Sequence, residues 1–391
     1  MTKLTFLGDV MCKAEMISAY QTGNVYNFDS IFERMKEYFN QSDYVLANLE
    51  TPVSFNNEGL TSEKYRFNSP YEFAQSVFNS GIKFVAAANN HCLDRGTEGV
   101  KSTVQSLDKI GFNHTGIFYD TKREPLTIDV NGIRFGMLSY TYGTNAFSNN
   151  VYLKRKNRYM VNMFQEHELS NPIFRYAFKN RNKITGRIVR KLTKGFKSAQ
   201  YQKQVYERKE NDKRQIKQLL EDIKSLKETG VDFIIMYMHS GGQYNAEPTE
   251  YTKNLTQFLL NNGVDIVAGS HEHVVHGGVF SDINNNRLAT YSLGNFNGIA
   301  GIYEEPFDKM SEYSVAWNIY FDESEKNILK TTFSVLKTIE LPEKKIQTVP
   351  VYDLIMSNFE KEQEKLIADT LKIAKIFSGK KYDDVQQEFL I

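Results

Sequence analysis

The chain has 391 residues, 41% of them hydrophobic, enough to bury a substantial core in one large α/β domain or in two smaller ones. Its 48 Lys and Arg balance 47 Asp and Glu, so overall charge gives no reason to expect a polyanionic partner. Two cysteines, Cys12 and Cys92, exclude a disulfide framework, and no apolar stretch approaches the ~18 residues of a membrane span or follows Met1 as a secretory signal would; a cytoplasmic protein is expected.

From the start to about residue 142, short apolar runs alternate with amphipathic segments, the pattern of strands interleaved with covering helices. Residues 3–8, 44–47 and 82–88 read as buried strands, and residues 28–39 and 96–110 have helical spacing. Asn131-Gly132 between two β-rich runs signals a hairpin turn. From 144 to 217 lysines and arginines crowd together and the rhythm breaks, so this stretch reads as a basic insertion. The rhythm resumes with a charged helix ending near Gly230, a strand over 233–238, a helix over 250–262 and a strand over 265–268. Residues 277–293 read as a hairpin, 315–321 and 328–337 as another antiparallel pair, and a charged helical tail closes the chain from Tyr352. The expected organisation is one α/β domain over 1–340, interrupted by 144–217, with a tail over 341–391 packed on it.

Five strands release a polar cluster at their C-terminal end: Asp9; Asn48 and Glu50; Asn90 and His91; His239; and His271 with His273. In α/β sheets ligands bind outside the carboxyl ends of strands, so these groups can converge. Four of the chain's seven histidines occupy such positions. Singly each is commonplace, since a histidine after a strand is often only hydrogen-bonded and Asp9 or Asn90 could serve as a cap. Together, carboxylate, amide oxygen and imidazole form the ligand set of divalent Mn, Fe or Zn. A bridging carboxylate would hold two such ions ~3.5–4 Å apart, the spacing used in phosphoryl hydrolysis. If the segment beyond the strand stays extended, His271 and His273 present their rings to one side.

Gly8-Asp9, Asn48-Leu49-Glu50, Asn89-Asn90-His91 with Asp94 and Gly96, His239, the run from Ser270 to Val275, and the run from Tyr291 to Phe296 resemble, in order, the motif series of the CapA family. That resemblance implies a metallophosphoesterase-like β-sandwich flanked by helices, associated with poly-γ-glutamate capsule synthesis. It further implies that Glu50 bridges two divalent metals, that Asn90, His239 and His271 complete one site, and that Asp9 and His273 hold the other. His91 would protonate the leaving oxygen, Asp94 would orient His91, and Asn48 and Asn295 would line the pocket. The sequence departs from the wider superfamily in carrying Met11 where a histidine usually follows the first Asp, and from CapA relatives in Ser240 and Glu272, where Trp and Pro are common.

The resemblance thus implies a metal-dependent hydrolase acting on a phosphoester, or on an amide of a poly-γ-glutamate-like polymer, with a capsule or envelope polymer or its precursor as partner. The alternative is a non-catalytic accessory component of a capsule polymer synthesis complex. The basic stretch interleaves Tyr159, Phe174, Tyr176, Phe178 and Phe196 with its cations, which favours contact with a membrane surface over nucleic acid, since no nucleic-acid motif accompanies it. His114, His167 and His276 read as structural, and Cys12 and Cys92 as small packing residues.

Overall fold

In the computed structural model the described residues are 1–165 apart from 64 and 122, 183–185, 188, 214–298, 309–357 and 363–391. His167, Phe174, Tyr176, Phe178 and Phe196 lie outside them.

The first strand, β1 (Thr2–Val10), is buried along its whole length, as a strand must be that has neighbours on both edges and layers on both faces. The hairpin β2 (Gln21–Thr22) and β3 (Val25–Tyr26) stands apart. On one side β1 pairs in parallel with β4 (Tyr44–Leu49), followed by β5 (Phe84–Ala86) and β6 (Asn113–Thr115), also parallel. The second sheet starts with the antiparallel hairpin β7 (Leu126–Val130) and β8 (Ile133–Thr141), turning at Asn131-Gly132 as expected. Next to β8 lie β9 (Phe233–His239), β10 (Ile266–Ser270) and, at the far edge, β11 (Val275–Val279) paired with β12 (Leu288–Leu293). The first sheet is completed on the other side of β1 by antiparallel β13 (Tyr313–Phe321), β14 (Ile328–Glu340) and β15 (Ile346–Pro350), with β16 (Phe389–Leu390) also on β14.

The sheets enclose one shared core. Phe6 packs 5.2 Å from its neighbour Trp317 within the first sheet and 6.3 Å from Tyr237 across the layers, and Phe84 lies 5.9 Å from Tyr237. Helices Gly96–Ile110, Arg214–Glu228 and Glu250–Asn261 cover the outer faces with their buried stripes. The architecture is thus the α/β, two-sheet sandwich flanked by helices that the sequence led us to expect.

Three features differ from the sequence reading. Residues 28–39 form short consecutive turns, Asp29–Phe32, Glu33–Met35 and Lys36–Phe39, although their apolar residues are all buried as the spacing required. The closing segment is more than a helical tail, because β15 and β16 extend the main sheet across residue 340. Its helix Gln363–Ser378 sends Ile373, Ala374 and Phe377 into the shared core. Finally, the start of the basic stretch belongs to the domain: Leu153, Met160, Val161 and Met163 pack with Ala87, Leu93, Val100 and Val104.

Candidate metal centre

Parallel strands of both sheets bring their C-terminal ends to one place. A register shift in β1 between Phe6 and Asp9 does the local work: Leu4 and Phe6 face the shared core, whereas Leu7 and Val10 face the helices, so alternation slips by one residue. Gly8 is required there, since a Cβ on it would overlap the Gly294 carbonyl oxygen. The close approach lets the loop after β12 hydrogen-bond to β1, with Asp9 N donating to Gly294 O (3.0 Å) and Phe296 N to Asp9 O (2.9 Å). Asp9 and Asn295 are thereby placed side by side.

Asp9, Asn48, Glu50, Asn90, His91, Asp94, His239, His271, His273 and Asn295 are all buried, and all converge. His239 Nε2 lies 2.9 Å from Asn90 Oδ1, 3.1 Å from His271 Nδ1 and 3.6 Å from Glu50 Oε1. Its other nitrogen, Nδ1, is 2.9 Å from Ser270 Oγ, which orients the ring. On the other side of Glu50, His273 Nδ1 is 2.8 Å from Asn295 Oδ1 and 3.5 Å from Asp9 Oδ2, and its Nε2 is 3.9 Å from Glu50 Oε1. Asp9 accepts from Asn48 Nδ2 (2.7 Å) and from His271 N (3.1 Å). Two groups of potential ligand atoms result, Glu50–His239–His271 and Asp9–Glu50–His273, each within 4.8 Å, and Glu50 is common to both.

The segment carrying His271 and His273 does not stay extended. Their φ angles are 95° and 60°, a left-handed backbone costly for a side-chain-bearing residue, and this curl is what brings both rings to the centre.

Burial pushes Asp9 up to about 6 and Glu50 well above the usual carboxylate range, with the Asp9 charge adding to the effect on Glu50. The same burial, with neighbouring imidazoles, pushes His239 and His271 well below their ordinary value, and burial drives His273 down to about 3. Among the described residues, neither Glu50 oxygen, nor Asn48 Oδ1, has a hydrogen-bond donor. A fully buried carboxylate between two groups of neutral imidazoles is costly by itself, and a pair of cations is the chemistry that would satisfy it. The donor set therefore fits divalent ions.

Next to this centre, His91 Nδ1 bonds Asp94 Oδ2 at 2.7 Å, and His91 Nε2 faces Glu50 Oε1 at 4.0 Å. Phe67 stacks on the His91 ring at 4.2 Å.

Residues 3–298 match the family described as bacterial capsule synthesis protein PGA_cap. The chain belongs to that family. It is 24% identical over 299 residues to the capsule biosynthesis protein CapA of Bacillus anthracis, covering 75% of this chain and 59% of that protein. With the PGA biosynthesis protein CapA of Bacillus subtilis the identity is 22% over 298 residues, covering 75% and 62%. The chain thus matches only about three fifths of the length of these relatives. A solved Thermus thermophilus protein, TT1561, is alike over 84% of this chain and 97% of its own, at 6% identity and a TM-score of 0.35, too distant to carry an argument.

Within this PGA_cap centre, Met11 is held by the Asn297 side chain, which accepts from Met11 N (2.8 Å) and donates to Met11 O (2.9 Å). The sequence reading missed Asn297, and with it Ser270, Phe67, Asn145 and Asn149. Asn145 Oδ1 is 3.4 Å from Asn90 Nδ2, and Asn149 Nδ2 donates to Asp94 Oδ1 at 2.6 Å. The rim was also missed: Tyr142 lies against His271 (4.6 Å), Tyr244 against His273 (5.3 Å), and Gln243 Nε2 is 3.3 Å from His273 Nε2. Polar side chains on turns carry no periodic signal, although Ser270, closing the strand beside the one that ends at His239, could have been read as the partner that orients His239. Gly241 admits the buried Glu272 carboxyl, which a Cβ there would strike. Burial pushes the Cys92 thiol up to about 12, and both cysteines are buried, as packing residues are. Among the described residues, no helix is long and apolar enough to cross a membrane.

Proposed function

We propose that this chain is a dinuclear metal-dependent hydrolase of capsule or envelope polymer synthesis, acting on a phosphoester or on an amide of a poly-γ-glutamate-like polymer or its precursor. The observation that carries this reading is Glu50, a fully buried carboxylate that, among the described residues, has no donor and is shared by two clusters of ligand atoms. Glu50, Asn90, His239 and His271 would hold one ion, and Asp9, Glu50 and His273 the other. Two divalent ions would supply Lewis acidity and a water of lowered pKa at that point. Asn48 and Asn295 hold Asp9 and His273 in register beside the pocket. His91 would carry the proton for the leaving group on Nε2, the nitrogen not engaged by Asp94. The names of the two Bacillus relatives support the capsule assignment.

A second reading, a non-catalytic component of a polymer synthesis complex that keeps the pocket for binding, is favoured by one observation: Met11, held by Asn297, offers no imidazole to the Asp9 cluster. The test is to purify the chain, measure bound Mn, Fe and Zn, and assay a chromogenic phosphodiester with the wild type, Asn90→Ala and His239→Ala. Metal-dependent turnover in the wild type and its loss in both variants is expected. Stoichiometric absence of metal, with equal or no activity in all three, favours the accessory role.

A further inference from the structure

The inference concerns Asn149 and rests on the hydrolase reading. Asn149 ends the four-residue turn Ala146–Asn149, at the root of the stretch that the sequence assigned to the basic insertion. Its side-chain amide nevertheless reaches a group in the site. Asp94 is fully buried and, among the described residues, its carboxylate meets three donors: Asn149 Nδ2 on Oδ1 at 2.6 Å, and Phe67 N and His91 Nδ1 on Oδ2, each at 2.7 Å.

These contacts divide the work of holding His91. The Phe67 ring fixes the plane of the imidazole, at 4.2 Å and 28°, but a ring turned over by half a revolution would stack equally well. Which edge faces Asp94 is decided by the carboxylate, and the carboxylate's own rotation is decided by the donor on each oxygen. Besides His91 itself, the Phe67 amide holds Oδ2. Without Asn149, Oδ1 loses its side-chain donor and the carboxylate is held through one oxygen instead of two.

We propose that Asn149 is a positioning residue for proton delivery: by locking the Asp94 carboxylate it keeps His91 Nδ1 on Asp94 and Nε2 toward the reacting group. In hydrolysis of a phosphodiester, water adds to phosphorus and the phosphorus–oxygen bond to the leaving group breaks. The proton on His91 Nε2 passes to the departing oxygen, the ring keeps its Nδ1 proton facing Asp94, and the water's own proton is released to solvent. Proton delivery matters in proportion to the basicity of that oxygen. A defect in positioning is therefore read in the leaving-group dependence, which a general loss of stability would not alter.

The experiment uses the full chain loaded with Mn²⁺ and a series of aryl methyl phosphodiesters from p-nitrophenyl to phenyl. Asn149→Ala should lose about tenfold or more in kcat toward the phenyl ester, with about threefold or less toward the p-nitrophenyl ester and little change in KM. Asn149→Asp, isosteric and so safe for packing, replaces the donor by an acceptor against Asp94 and should steepen the dependence further. Equal losses across the series, or an unchanged slope in both variants, overturns the inference while leaving the hydrolase reading standing. A wild type inert toward the whole series overturns the hydrolase reading and this inference with it.

Discussion

His239 Nε2 and His271 Nδ1 approach to 3.1 Å, with a Glu50 carboxyl oxygen within 4.8 Å of both. Burial has already driven both rings to the neutral form, so protons on imidazole do not compete with a cation there. The competing protons sit on the carboxyls, on Glu50 above all and on Asp9 near pH 6. Metal uptake should therefore release protons from the acids, and apparent affinity should rise with pH between 5 and 8, by up to about tenfold per unit for one displaced proton. Calorimetric titration with Mn²⁺ in two buffers of different ionisation enthalpy measures both; affinity flat over this range would contradict the assignment.

Gly8 lies directly beneath the Gly294 carbonyl, a backbone atom that cannot swing aside. Gly8→Ala must push the loop after β12 away from β1 and carry Asn295 with it. A loss of at least ~2 kcal/mol in stability is expected, together with weaker metal binding. Denaturant unfolding monitored with and without Mn²⁺ checks both effects, and an alanine variant as stable as the wild type would show that the approach is looser than described.

Glu272 is buried with neither oxygen hydrogen-bonded among the described residues, and burial pushes it up to about 8. In the unfolded chain the same group titrates near the ordinary glutamate value of 4.5, so the folded state holds the proton more tightly. Its contribution to stability is complete below pH 4.5 and is lost as pH rises through 8. Glu272→Gln keeps the shape without the titration. Thermal melts should show the variant level with the wild type near pH 5 and more stable by at least ~2 °C at pH 9; parallel melting curves at both pH values would count against it.

Met11 occupies the position two residues beyond Asp9, with only its backbone held by Asn297. Met11→His should add a ligand to the cluster of Asp9, Glu50 and His273 and tighten binding of the second ion by about tenfold or more, the scale of one added ligand. Equilibrium dialysis at limiting metal resolves the two binding steps. If neither step responds, the Met11 side chain does not face the cluster.

Much of the centre was legible in the sequence because strands end where polar residues begin: Asp9, Glu50, Asn90, His239 and His271 each close an apolar run, and parallel strands must deliver them to one edge. The path of the chain between strands was less legible. The pairing of His271 and His273 depends on left-handed backbone, which the alternation argument could not supply. Asn149 and Phe67 sit on turns distant in sequence from the groups they hold, and no spacing rule connects 67 or 149 to 94. The strands β6, β15 and β16 were missed because three, five and two residues are too short to show a period.

The central claim is that one carboxylate serves two cations. It is tested most directly by counting bound divalent metal in the wild type, Glu50→Gln, His239→Ala and His273→Ala after dialysis against Mn²⁺. The account predicts two ions in the wild type, loss of both in Glu50→Gln, and loss of a different single ion in each histidine variant. Glu50→Gln retaining the full wild-type metal content would contradict it.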